Sequence, residues 1–178
     1  MFDDVECIIL DRDGTLIEHI HYLHDPIRVK LLSSVKKTLT FFKKNDYKLF
    51  LHTNQAGIGK NLFKLEDAIS CNNRLIELLQ LGDEVFNRIC IATELKSTLN
   101  NYRKPSPLFG QEIMKEYKIS NKNIIYIGDA YSDLETAINL GCKGIGLRSK
   151  NFTLNELVNK NSNLTLVNNW DEIKNMFN

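Results

Sequence analysis

Two rhythms of apolar and polar residues alternate along the chain. Short apolar runs at Ile8 to Leu10, Tyr47 to Leu51, Arg88 to Ala92, Ile124 to Ile127, Cys142 to Leu147 and Leu164 to Val167 read as strands. Runs of this kind suit strands buried on both faces, as in a parallel sheet covered by helices. Between them, Leu32, Val35, Leu39 and Phe42 recur at helical spacing, as do Leu65, Ala68, Ile69, Asn72, Leu75, Ile76 and Leu79. Gly82 is expected to cap the second of these helices. Ser106 followed by Pro107 predicts a third helix start, and Ser132 with Glu135 reads as a capping box for a fourth, which Gly141 ends. Thr153 is expected to open a fifth, and a last helix begins near Asn169. Strand and helix in regular alternation predict an α/β fold, a Rossmann-like doubly wound and mostly parallel sheet with helices on both faces. A chain of 178 residues suits one such domain, spanning residues 1–178.

The strand ends carry the polar chemistry. The first run stops at Asp11-Arg12-Asp13-Gly14-Thr15, and side-chain alternation puts Asp11 and Asp13 on one side until the chain turns at Gly14. The second stops at His52-Thr53-Asn54-Gln55-Ala56-Gly57-Ile58-Gly59-Lys60. Arg103 and Lys104 precede a helix start, where cations and free backbone N–H groups favour a phosphate. Asp129 falls between the fourth strand and its helix. Ligands in open α/β sheets bind outside the carboxyl ends of the strands, so these groups are expected to share one crevice. Together they suit phosphoryl transfer: carboxylates for a hard cation such as Mg²⁺, Lys104 to offset the phosphate charge, and the Thr53 hydroxyl to donate to it.

Composition narrows the field. Lys+Arg 23 against Asp+Glu 22 gives a net charge of +1, so no global field draws nucleic acid or an anionic membrane. No apolar run is long enough to span a bilayer, and no secretory signal opens the chain. Cys7, Cys71, Cys90 and Cys142 stand far apart, which suggests reduced thiols, a cytoplasmic setting and small core residues. His19, His21 and His24 lie on an irregular polar stretch from Leu16 to Arg28, which reads as a flap over the site rather than a metal cluster.

The motifs in their order resemble the haloacid dehalogenase-like phosphatases. Asp11-Arg12-Asp13-Gly14-Thr15, His52-Thr53-Asn54, Lys104, and Gly128-Asp129 with Asp133 match that superfamily's four motifs in order. The D-R-D-G-T, T-N-Q-x-G-I and R-K-P-x-P stretches resemble its small branch without a large cap domain, which includes heptose-bisphosphate and histidinol-phosphate phosphatases. The resemblance implies Asp11 as nucleophile and Asp13 as general acid and base. It implies Mg²⁺ held by Asp11, the Asp13 backbone carbonyl and Asp129, and the phosphoryl group held by Thr53 and Lys104. Asn54 would orient the site, Lys60 and Arg103 would touch the rest of the substrate, and Asp133 would orient Lys104 or metal-bound water. The expected substrate is a small phosphorylated metabolite, a heptose bisphosphate before histidinol phosphate, handled by a monomer. A phosphatase of nucleic-acid ends and an inactive phosphate-binding module are the lesser readings. Two departures stand out. Thr93 to Tyr102 holds no Cys or His where close relatives carry a zinc loop, so no structural zinc is expected; and Lys60 replaces a relative's arginine.

Overall fold

The computed structural model describes residues 2, 4–98, 100–148 and 154–177. Six strands, β1 (Cys7–Leu10), β2 (Lys48–Asn54), β3 (Arg88–Ala92), β4 (Ile124–Gly128), β5 (Lys143–Leu147) and β6 (Leu164–Val167), form one sheet in the order β3-β2-β1-β4-β5-β6. All neighbours run parallel, with Ile9 of β1 opposite Phe50 of β2 and Tyr126 of β4. Among the described residues, seven α-helices accompany them: α1 (Val35–Lys44), α2 (Ala56–Gly59), α3 (Leu65–Leu79), α4 (Leu108–Tyr117), α5 (Tyr131–Leu140), α6 (Leu154–Lys160) and α7 (Trp170–Asn175).

Alternation along β1 explains why both sheet faces are covered. Ile8 and Leu10 point into a core with Leu39 and Phe42 of α1, Leu75 of α3 and Trp170 of α7. Cys7 and Ile9 point into the opposite core, with Phe109 and Ile113 of α4, Leu134 and Leu140 of α5 and Leu154 of α6. All four cysteines are buried free thiols. Burial pushes Cys90 and Cys142 each up to about 12, so they pack as neutral apolar groups. No described helix is long and apolar enough to cross a membrane.

Several boundaries differ from the sequence reading. β2 runs on through His52, Thr53 and Asn54, because β3 continues to pair with it as far as Asn54 opposite Ala92. Helix α3 ends at Gln80 rather than Gly82. Gln80 turns left-handed at φ 55°, Leu81 then packs on the core, and Gly82 takes the following bend. Helix α5 starts two residues early: Asp133, not Glu135, reaches back, and its Oδ2 accepts from the Ala130 N–H at 2.9 Å. Helix α4 starts one residue later than expected: Pro107, not Ser106, is the N-cap and makes no side-chain cap bond, while the Ser106 hydroxyl accepts from the Leu108 N–H at 3.3 Å from one position further out. Thr153 lies outside the described residues. Between β1 and α1 the chain first doubles back, with Ile17 N–H donating to the Arg12 carbonyl, and then carries the irregular flap and a 3-10 turn at Pro26–Arg28.

Candidate active site

In this strand order the direction of winding reverses between β1 and β4, and the crevice at their carboxyl ends is where such sheets bind ligands. Asp11 leaves β1 there and Asp129 leaves β4. The two loops touch. A Cβ on Gly14, which turns at φ +86°, would lie 2.2 Å from Asp129 Oδ2, and one on Gly128 would lie 2.2 Å from Asp133 Oδ2. Only glycine allows both approaches.

Asp11 is buried, and each of its carboxylate oxygens has a donor. Lys104 Nζ donates to Oδ1 at 2.5 Å and the Thr15 hydroxyl to Oδ2 at 3.0 Å. Lys104 Nζ also donates to Asp133 Oδ1 at 2.6 Å. Burial opposes the ammonium charge, but the two carboxylates outweigh it and hold Lys104 above its ordinary range. Asp129 joins them: ligand oxygens of Asp11, Asp129 and Asp133 lie within 4.8 Å of one another. Burial first, then the charges of Asp11 and Asp133, push Asp129 up to about 7 against the pull of Lys104. Three carboxylates around one ammonium leave negative charge that a hard divalent cation would balance, so the donor set fits Mg²⁺. Asp133 already gives one oxygen to Lys104 and the other to Ala130. Asp11 and Asp129 leave the adjacent ends of β1 and β4 at the crevice, which places these two side chains best toward a cation.

The Asp13 carboxylate faces other partners. Arg12, fully buried, donates from Nε at 3.1 Å and is itself anchored by NH1 to Asn72 Oδ1 of α3 at 2.9 Å. Gln55 Nε2 donates to Asp13 Oδ2 at 2.9 Å, and the Thr53 hydroxyl donates to the same oxygen at 3.3 Å. Asn54 is expected both as a group that orients the site and among the substrate-binding residues. Its amide clamps the Lys104 backbone, donating to the carbonyl at 3.2 Å and accepting from the N–H at 2.9 Å. Beyond Asp13 a cleft of about 270 Å³ opens, lined in part by His19, His21, Tyr22, Gln55, Lys60 and Arg103. Lys60 donates to the Tyr22 hydroxyl at 2.8 Å, and Arg103 to the Glu94 carbonyl at 3.3 Å.

Arg12, Asn72 and Gln55 escaped the sequence reading as site residues. Arg12 and Gln55 lie inside the quoted motifs and could have been singled out; Asn72 sits among the core positions of α3 and gave no signal.

A family model described as "Haloacid dehalogenase-like hydrolase" matches residues 11–147. The chain belongs to this hydrolase family. Among curated relatives, the histidine biosynthesis bifunctional protein HisB of Legionella pneumophila is 30% identical over 136 residues, covering 75% of this chain and 39% of that protein. The chain thus spans about two fifths of the HisB proteins it matches. The D-glycero-beta-D-manno-heptose-1,7-bisphosphate 7-phosphatase of Rhodopseudomonas palustris is 25% identical over 142 residues, covering 76% of this chain and 79% of that one. A crystal structure of D,D-heptose 1.7-bisphosphate phosphatase from B. bronchiseptica, complexed with magnesium and phosphate, superposes with TM-score 0.83 at 19% identity, covering 97% of this chain and 98% of that one. This likeness shows the same fold.

Proposed function

We propose that this hydrolase is a phosphomonoester phosphatase that works through an aspartyl-phosphate on a small phosphorylated metabolite carrying a second anionic group, a sugar bisphosphate of the heptose type. The observation that carries the reading is the grip on Asp11: a buried carboxylate oriented by Thr15 and Lys104, with a second acid, Asp13, two residues on. Binding alone has no need of a nucleophile beside an acid.

Asp11 attacks phosphorus, the bond from phosphorus to the ester oxygen breaks, and Asp13 gives its proton to the departing oxygen. Asp13 then takes a proton from water as that water attacks the aspartyl-phosphate, which releases phosphate and frees Asp11. Lys104 and the Thr53 hydroxyl donate to the phosphoryl oxygens as negative charge spreads over them. Arg12 and Gln55 hold Asp13 in place between the two half-reactions. Mg²⁺, held by Asp11, Asp129 and the Asp13 carbonyl, would neutralise phosphate charge within the acidic cluster.

The cleft argues for the substrate class. Lys60 and Arg103 stand beyond the reaction centre, and of the residues lining that cleft only Asp13 is acidic. Such a lining attracts a second phosphate and repels the ammonium of an amino alcohol such as histidinol phosphate. Phosphate release from a panel of sugar bisphosphates, sugar monophosphates, histidinol phosphate and nucleotides, with Mg²⁺ and with chelator, tests this. The highest kcat/KM is expected on a sugar bisphosphate; histidinol phosphate as the best substrate contradicts the substrate class, and no hydrolysis at all contradicts the reaction.

A further inference from the structure

His52 has no part in the reaction above, yet it is a fully buried imidazole in an apolar layer. Its ring packs on Phe109 at 5.0 Å between centroids, on the face of the sheet that Cys7, Ile9 and Phe50 make apolar. A polar group there is tolerated only with its hydrogen bonds satisfied. Both ring nitrogens are satisfied. Nε2 lies 2.7 Å from the Tyr102 carbonyl oxygen, and Nδ1 lies 2.8 Å from the Tyr126 hydroxyl. A carbonyl can only accept, so Nε2 carries the proton and Nδ1 accepts from Tyr126. Burial, then the Lys104 ammonium, push the imidazole down to about 3, which keeps this tautomer neutral at any working pH.

Tyr126 lies on β4, His52 on β2, and β1 runs between them. The relay therefore bridges over the strand that delivers Asp11 and ends on backbone two residues ahead of Lys104. Other bonds fix the same short segment. The Tyr102 N–H donates to Glu94 Oε1 at 3.0 Å, the Tyr102 hydroxyl donates to Glu112 Oε1 at 2.7 Å, and Asn54 clamps Lys104 itself. Of these, only the His52 bond ties the Tyr102 carbonyl to the sheet centre. We infer that His52 is a positioning residue for Lys104, acting through the Tyr102 carbonyl and held in its tautomer by Tyr126, so that the ammonium meets Asp11 and the phosphoryl oxygens in register. The inference builds on the phosphatase reading, with phosphate affinity as a readout that does not need turnover.

Three variants test it: His52→Phe, which keeps the ring and loses both hydrogen bonds; His52→Gln, whose amide can donate to Tyr102 and accept from Tyr126; and Tyr126→Phe, which removes one oxygen. Each is measured for its melting temperature, kcat and KM on p-nitrophenyl phosphate with Mg²⁺, and calorimetric affinity for inorganic phosphate with Mg²⁺. A displaced catalytic group loses rate steeply, so His52→Phe is expected to lose about 10²-fold in kcat/KM. Phosphate affinity should weaken with it, Tyr126→Phe should lose less, and His52→Gln should recover most of both. In a Lys104→Ala background, His52→Phe should weaken phosphate binding no further. If His52→Phe does not fold, Tyr126→Phe and His52→Gln carry the comparison. Wild-type phosphate affinity in His52→Phe or, where it does not fold, in Tyr126→Phe, additive losses with Lys104→Ala, or no phosphate binding by the wild-type protein overturns the inference. A wild-type protein that binds phosphate but hydrolyses no ester overturns the phosphatase reading instead, and affinity still decides the role of His52.

Discussion

Lys104 lies between Asp11 and Asp133, so the same ammonium that steadies the resting site is available to a phosphoryl group entering it. Arg103, next in the chain, points its guanidinium at the Glu94 carbonyl and lines the cleft instead. The two cations should therefore fail differently. Lys104→Ala is expected to lower kcat/KM on every substrate by about 10²–10³-fold, the usual effect of one lost donor to a developing charge. Arg103→Ala should mainly raise KM for the bisphosphate and leave p-nitrophenyl phosphate nearly unchanged; equal losses on both substrates for both variants would dissolve the division. Asp129 gives a pH prediction. Its carboxyl is raised from 3.8 to about 7 in the folded, metal-free protein, so between those values the folded state binds a proton that the unfolded state has lost. Stability of the metal-free protein should accordingly fall as pH rises from about 4 to 7, and Mg²⁺ binding should release a proton below pH 7 but none near pH 9. Denaturant titrations with chelator, and pH-stat titrations with MgCl₂, check the two halves. Asp11, Asp13 and Asp129 stood out in the sequence because polar residues end apolar runs there, and Lys104 because it precedes a helix start. Arg12 did not, because a charge beside Asp13 reads as a solvated pair, and the Asn72 amide that anchors the buried guanidinium lies 60 residues away.

At the scale of elements, the strands were the most legible. Arg88 to Ala92 and Leu164 to Val167 appear with the expected bounds although they are the part-buried edge strands of the sheet, since each is a short β-prone run between polar stretches. Helix termini were less so. Asp133 accepts from the Ala130 N–H and from Lys104 at once, so the start of α5 joins a local cap to a tertiary contact that the sequence does not display. The last helix shows the same limit. Residues beyond β5 carry no motif and read as edge and packing, yet Trp170 Nε1 donates to the Thr15 carbonyl at 2.8 Å, across 155 positions of sequence, while the Thr15 hydroxyl holds Asp11. Trp170→Phe keeps a ring in the core and strands that buried carbonyl, so urea unfolding should show a loss of about 1–3 kcal/mol. An unchanged midpoint would mean that the indole N–H contributes nothing to the active-site turn.

For the molecule as a whole, function follows from strand order. Winding outward in both directions from β1 and β4 leaves one crevice where Asp11 and Asp129 emerge side by side, and β2 and the segment before α4 supply Thr53 and Lys104 to the same place. The flap, tied down where Lys60 meets Tyr22 and His24 stacks on Phe63, walls the cleft on the far side of Asp13. The sequence announced the flap by its lack of period, but the contacts that seat it involve residues on two separate loops and have no local signature. All of this geometry serves one claim, that Asp11 becomes covalently phosphorylated. The most direct measurement is acid quench of the enzyme during steady-state turnover of its best phosphate ester with Mg²⁺, followed by mass spectrometry of the peptides. Phosphate is expected on Asp11 in the wild-type protein and on no residue of Asp11→Asn, which should also be inactive. Phosphate on a histidine, or Asp11→Asn turning over at the wild-type rate, would contradict it.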